Sequence, residues 1–163
     1  MKFIRPALFV LTALIFAVAC SKSSSNSNTS GGTLSATTGS TTFTAGSTAG
    51  FYSQGLALIG VLGYTIKSGD TTLIQLEMAY IPPVNMSFSS DTVAELGLSY
   101  KVSGKEYDAY QGEGRVVLSM TTADTVNHLI AGTFSGVVYN DVNSGDSLVI
   151  SNGKFSSSYT VSQ

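Results

Sequence analysis

From about residue 56 onward the chain alternates apolar and polar side chains with a period of two, and short glycine-containing stretches interrupt that alternation. Within 73–80, Ile74, Leu76, Met78 and Tyr80 share one face while Gln75, Glu77 and Ala79 share the other. Successive side chains of an extended backbone point to opposite faces, so such a run predicts a half-buried β-strand with its polar face toward water. Leu96, Leu98, Tyr100 and Val102 repeat the pattern, as do Val116, Leu118 and Met120. The stretch 56–62 is apolar on both parities and reads as a central strand, since Gly55, Gly60 and Gly63 disfavour a helix. Lys67-Ser68-Gly69-Asp70, Val102-Ser103-Gly104-Lys105 and Asn143-Ser144-Gly145-Asp146 place glycine where a tight hairpin needs positive φ. Pro82 and Pro83 cannot donate to a ladder, so 80–85 is expected to be an edge or a crossing loop, with another short strand over 87–91.

Short strands separated by turn signals every 8–12 residues or so predict an all-β domain. The expected architecture is an antiparallel β-sandwich of about eight strands joined by sequential hairpins, with a lipocalin-like closed barrel as the alternative. The two differ inside: a sandwich is filled by side chains, whereas a carrier barrel keeps an apolar cavity of several hundred Å³. At most one short helical turn is expected. Cys20 is the single cysteine, so no disulfide can stabilise the domain and a hydrophobic core must do so.

The N-terminus carries a different signal. Lys2 and Arg5 precede an apolar segment, Ala7 to Ala19, that is too short to span a bilayer as a helix. Ala17 and Ala19 around Val18, followed directly by Cys20, resemble the bacterial lipobox, with Ala17 where leucine is preferred. That resemblance implies a signal peptide over 1–19, a diacylglycerol on the Cys20 thiol, and cleavage that leaves Cys20 as the new N-terminus. Residues 21–32 are almost all Ser, Asn, Thr and Gly, too polar to offset the entropy of ordering, so 20–32 reads as a flexible tether and 33–163 as one domain. The expected location is the outer membrane, with the periplasmic face preferred, because neither an Asp after Cys20 nor an acidic pair further on is present.

The most distinctive stretch is Ile130-Ala131-Gly132-Thr133-Phe134-Ser135-Gly136, a hairpin, then Leu148-Val149-Ile150-Ser151-Asn152-Gly153-Lys154-Phe155. It resembles small Bacteroidota lipoproteins of unknown function, whose domains end in a Gly-Thr-Phe-Ser strand followed by an Ile-Thr-Asn-Gly-x-Phe strand; Ser151 stands where that family commonly has Thr. The resemblance implies no catalytic residues. Physically the motif reads as packing, with Ile130, Gly132, Phe134, Gly136 and Val138 on one strand face and a bulge at Asn152-Gly153 that aims Phe155 inward.

Chemistry is sparse. His128 is the only histidine, and Ser135 sits in a strand rather than on the strand-to-helix turn of a nucleophile elbow. Glu106 and Asp108 share a strand face near Glu113, an arrangement open to glycoside hydrolysis, but the chain has no tryptophan to bind sugar and a solvated face is the simpler reading. Asp141, Asn143 and Asp146 imitate a calcium loop with its glycine misplaced and its closing glutamate missing. No catalytic residue, metal site or cofactor is therefore expected. Without Lys2 and Arg5, six of the eight basic residues remain against ten acidic ones, and no basic run exists to bind nucleic acid. Tyr107 and Tyr110 are the candidate interaction surface, tyrosine being enriched at interfaces. Asp70-Thr71, Asp91-Thr92, Asp124-Thr125 and Asp146-Ser147 resemble the Bacteroidota O-glycosylation motif, which makes Thr71, Thr92, Thr125 and Ser147 candidate acceptors; turn chemistry alone also accounts for them. The expected function is a non-enzymatic, lipid-anchored envelope domain with an unknown protein or glycan partner. A small-ligand or glycan-binding barrel is the first alternative and a glycan-acting enzyme the last.

Overall fold

The computed structural model describes residues 32–93, 95–109, 114–140, 142–143 and 145–163. Among these it is all-β and contains no helix. Its strands are β1 (Thr33–Thr38), β2 (Thr41–Thr44), β3 (Ser47–Ser53), β4 (Leu58–Lys67), β5 (Asp70–Met78), β6 (Ser87–Ser89), β7 (Gly97–Val102), β8 (Lys105–Ala109), β9 (Arg115–Asp124), β10 (Leu129–Asn140) and β11 (Ser147–Ser162). Eleven strands replace the eight or so expected. The excess comes partly from 33–53, where the spacing of Leu34, Ala36, Phe43 and Ala45 marks the β1–β2 hairpin in the sequence while β3 has no buried side chain to reveal it.

All strands join one sheet in the order β2-β1-β11-β3-β4-β5-β7-β8-β10-β9-β6, and β10 pairs with β11 as well, which closes a ring. One closure is antiparallel, with Tyr139 opposite Asp108 and Asn140 opposite Tyr107. The other is parallel, with Tyr159 opposite Gly50 and Ser162 opposite Ser53. The result is one sheet closed on itself, as in the barrel alternative, rather than two separate sheets; across the core its β6-β9-β10-β11-β1-β2 part faces its β3-β4-β5-β7-β8 part as two layers. Leu34, Ile59, Val61, Ile74, Leu76, Leu98, Leu118, Ile130, Phe134, Ile150 and Phe155 fill the space between the layers. Glycines let the layers approach: a Cβ on Gly63 would lie 2.9 Å from the Leu34 Cβ, and one on Gly136 would lie 3.0 Å from Leu98 Cδ2. An apolar hollow lined by Met78, Tyr80, Phe88, Leu96 and Leu118 measures about 10 Å³, room for roughly one water and no ligand.

Local chemistry explains the turns. Ser68 (φ 51°) with Gly69 (φ 89°), and Ser103 (φ 48°) with Gly104 (φ 78°), make two-residue hairpins in which both central residues have positive φ, the twist that matches paired strands. The crossing loop at Pro82 and Pro83 and the short β6 fall where the sequence places them. Leu56 does not: it is exposed in the turn before β4, where Ala57 adopts φ 50°.

One extra residue in β11 sets the fold of the C-terminal third. Gly136 pairs with Ile150 and Phe134 with Gly153, so two residues of β10 span three of β11, a bulge around Asn152 at φ 52°. Inward positions change parity there, from Leu148 and Ile150 before the bulge to Gly153, Phe155, Ser157 and Tyr159 after it. In a regular strand Ile150 and Phe155, five residues apart, would point to opposite faces; the bulge turns both inward.

Candidate functional site

On the outward face of the β6-β9-β10-β11-β1-β2 layer, two adjacent rows are built mostly from hydroxyls, beside a third in which Arg115, Val137 and Val149 stand together. Following the register across the layer, Ser87 faces Ser119, then Thr133, Lys154, Ser35 and Thr44. A second row runs from Ser89 through Val117 and Ser135 to the bulge at Ser151, then to Thr37 and Thr42. With strands about 4.8 Å apart, each row is about 24 Å long. Ser87 Oγ and Ser119 Oγ share a hydrogen bond at 2.5 Å. The bulge opens a shallow depression of about 460 Å³ between the rows, lined by Val117, Ser119, Thr133, Ser135, Ser151 and Asn152. Lys154 is the single charged side chain in the two rows.

Each hydroxyl donates one hydrogen bond and accepts two, and none titrates near neutral pH. Such a face can hydrogen-bond a neutral, polyhydroxylated partner or bind a hydration layer, with the Lys154 ammonium as its one ionised group. In the sequence these residues are merely the polar half of each alternation. Register alone gathers them, and period-2 counting contains no information about register.

The positions singled out in the sequence scatter around this face. Cys20, Tyr110, Glu113 and Asp141 lie outside the described residues. Tyr107 is a core residue, not an exposed ring: it is 4 % exposed, its ring lies 6.3 Å from that of Tyr100, and its hydroxyl donates to Asp146 Oδ2 at 3.0 Å. The reason is parity, since Tyr107 and Ala109 point inward from β8 while Glu106 and Asp108 point outward. Lys105 Nζ sits 3.5 Å from the same Asp146 oxygen, and Tyr107 together with Asp146 raises the pKa of its ammonium. Glu106 pairs with Lys101 at 3.3 Å. Glu106 and Asp108 stand on the opposite layer from the hydroxyl depression, so carboxylates and depression do not converge.

The β5 polar face departs from expectation. Gln75 and Glu77 are buried, at 7 % and 4 % exposure, although the alternation places them toward water. Gln75 faces Leu62 and Ser99 in the register, Glu77 stands between Gly60 and Gly97, and Gln75 Nε2 donates to Glu77 Oε1. Gly60 has no side chain and the Phe51 ring lies over it, beside Glu77, a cover that a lone strand's sequence does not reveal.

His128 is a turn residue at φ 54°, its ring 5.1 Å from that of Tyr159 and its carbonyl accepting the Tyr159 N–H. Burial raises the Tyr159 phenol pKa. Ser135 points outward from β10 into the hydroxyl face. Thr71, Thr92, Thr125 and Ser147 are all exposed, as acceptors and turn residues alike must be. Three of the preceding aspartates are engaged locally. Asp124 accepts from Val126 N, Asn127 N and Asn127 Nδ2, and the Asn127 bonds hold its carboxyl below the usual range. Asp91 pairs with Arg115 at 3.0 Å, and Asp146 holds Tyr107. Among the described residues, no three His, Cys, Asp or Glu side chains converge as a metal site would require.

Compared with known proteins, the chain matches no family model, no curated sequence and no solved structure.

Proposed function

We propose that the chain is a lipid-anchored envelope protein of the outer membrane whose β-domain acts by binding or by supporting an assembly, without catalysis. The observation that carries this reading is Cys20, the sole cysteine, placed directly after a basic N-terminus and a short apolar segment. Acyl chains on that thiol each contribute about 0.8 kcal/mol per buried methylene, so two or three give stable attachment. The resemblance of the C-terminal strands to small Bacteroidota lipoproteins supports the same assignment, as does the preference for the periplasmic leaflet drawn from residues 21–24. Replacing Cys20 with Ser is expected to move the protein from the membrane to the soluble fraction and to remove the acyl mass; a Cys20→Ser protein still bound to membranes refutes the anchor. The same intact-mass measurement tests Thr71, Thr92, Thr125 and Ser147, since glycans add mass beyond polypeptide and lipid.

One observation favours a second reading, in which the partner is a glycan: the two hydroxyl rows, neutral apart from Lys154 and about 24 Å long. Co-sedimentation of the soluble domain with purified cell-wall glycan tests it. Thr133→Arg and Ser135→Arg, which crowd the depression from an exposed and a half-buried outward position, are expected to abolish sedimentation, and unchanged sedimentation in both refutes this face as the site.

A further inference from the structure

The chain enters the domain beside the β9–β10 turn. Thr33 pairs with Ser156 and Leu129 with Ser158, and Gly32 packs against the Ser156 carbonyl and Thr48. The β3–β4 turn reaches the same corner, where Gln54 N–H donates to Ser162 O at 2.9 Å. Apolar side chains there face outward: Val126 at the turn tip is 86 % exposed, and Leu56, Leu129 and Val161 are each more than two-fifths exposed. Tyr52 and His128 flank them, both packed on Tyr159 at 6.3 and 5.1 Å. Asp124 is the one charged side chain of the turn, and its carboxylate is engaged by the turn's own amides.

The other end of β10 differs. Val142 and Val149 are also exposed there, but beside the Lys105–Asp146 ion pair. β10 has twelve residues, which separate the two ends by about 40 Å.

We propose that the corner formed by the β9–β10 turn, the β3–β4 turn and the end of β11 lies on the lipid surface, with Val126 and Leu129 entering the interface. This inference rests on acylation of Cys20. Gly32 is twelve positions on from Cys20, a chain about 20 Å long as a coil and about 40 Å at full stretch. With this corner toward the membrane, residues 20–32 have only a short distance to span. With the far end down, Gly32 stands about 40 Å above the surface and the tether must be drawn to its limit. The low charge of the near corner, its exposed aliphatic groups and the half-buried Tyr52 suit the headgroup region, where side chains with an apolar body and a polar tip are favoured.

The natural chain has no tryptophan, so a single introduced one reports its own surroundings. Val126→Trp and Val142→Trp are made separately in the full-length acylated protein and reconstituted into phosphatidylethanolamine–phosphatidylglycerol vesicles. Both sites are exposed turn positions that accept the larger ring. Val126→Trp is expected to emit further to the blue on vesicles, to be quenched by brominated acyl chains and to be shielded from iodide, while Val142→Trp remains open to iodide. Equal iodide quenching of the two on vesicles, or shielding of Val142→Trp instead, overturns the proposal. Shielding of Val126→Trp in vesicle-free Cys20→Ser protein assigns the corner to a second copy of the chain and also overturns it. Protein that fails to float with vesicles and lacks acyl mass refutes the anchor itself, and the orientation with it.

Discussion

Truncating Phe134 to Ala tests the packing of the motif that dominates the C-terminal third. Phe134 is 4 % exposed on β10; its ring lies over Gly153 of β11 and 6.4 Å from the ring of Phe155. A Cβ on Gly153 would lie 2.6 Å from Phe134 Cγ, so the aromatic ring occupies the space a side chain there would take. Removing it leaves a void that Gly153 has no atoms to fill and that the bulge-fixed ladder cannot close. Phe→Ala in a buried site costs about 3–5 kcal/mol, and poor relaxation places this one in the upper half. Within that sum, contact with Phe155 accounts for about 0.5–1.5 kcal/mol, measurable as coupling in a cycle with Phe155→Ala. For a domain of this size the melting temperature falls by about 10–20 °C. Urea titration of the soluble domain is the direct assay, since total stability is about 5–15 kcal/mol and the variant remains measurable in most of that range. Thr133→Ala, next along the strand and exposed, stays within about 0.5 kcal/mol of the parent. A Phe134→Ala midpoint within about 1 kcal/mol of the parent refutes the assignment of Phe134 to the core.

The bulge and two polar contacts give further tests. Asn152→Gly keeps the left-handed backbone and should match the parent, and Asn152→Val should cost about 1–2 kcal/mol; deleting Asn152 leaves Ile150 and Phe155 four residues apart, so a regular ladder keeps both inward and unfolding should stay cooperative, whereas loss of cooperative unfolding refutes the parity argument. Tyr107→Phe loses its hydrogen bond to Asp146 and should cost about 1 kcal/mol in urea titration, whereas Tyr107→Ala should cost several times as much; equal costs contradict a buried ring. Asp124 has a folded pKa below its usual 3.8, so its contribution to the β9–β10 turn is present above that value and lost as pH falls through the folded one. Amide shifts of Val126 and Asn127 should accordingly titrate with a midpoint under 3.8 and lose the transition in Asp124→Asn; a midpoint at or above 3.8 counts against the turn.

Much of the strand architecture is legible in single segments. β7 and β9 follow alternations visible in the chain, the Ser68-Gly69 and Ser103-Gly104 turns follow from hairpin chemistry, and Pro82-Pro83 marks the crossing between β5 and β6. The bulge at Asn152 is legible too, because Ile150 and Phe155 are both apolar yet of opposite parity. The candidate face is not. Ser35, Thr44, Ser87, Ser119 and Thr133 are scattered over about a hundred residues and carry no motif; five separate ladders bring them into line.

Determined by the sequence alone, then, are the properties that belong to one stretch of chain: the all-β class, most turns, the inward parity of Phe134 and Phe155, and the lipobox-like setting of Cys20. Tertiary structure decided whatever depends on which strand lies beside which. It closed the ring through β10 and β11, buried Gln75 and Glu77, turned Tyr107 into the core, lined up the hydroxyls, and set the entry of the chain beside Val126 and Leu129. Alternation records the face on which a side chain stands, while its neighbours on that face are chosen by pairing between distant segments, where loop closure, core volume and bulges act together.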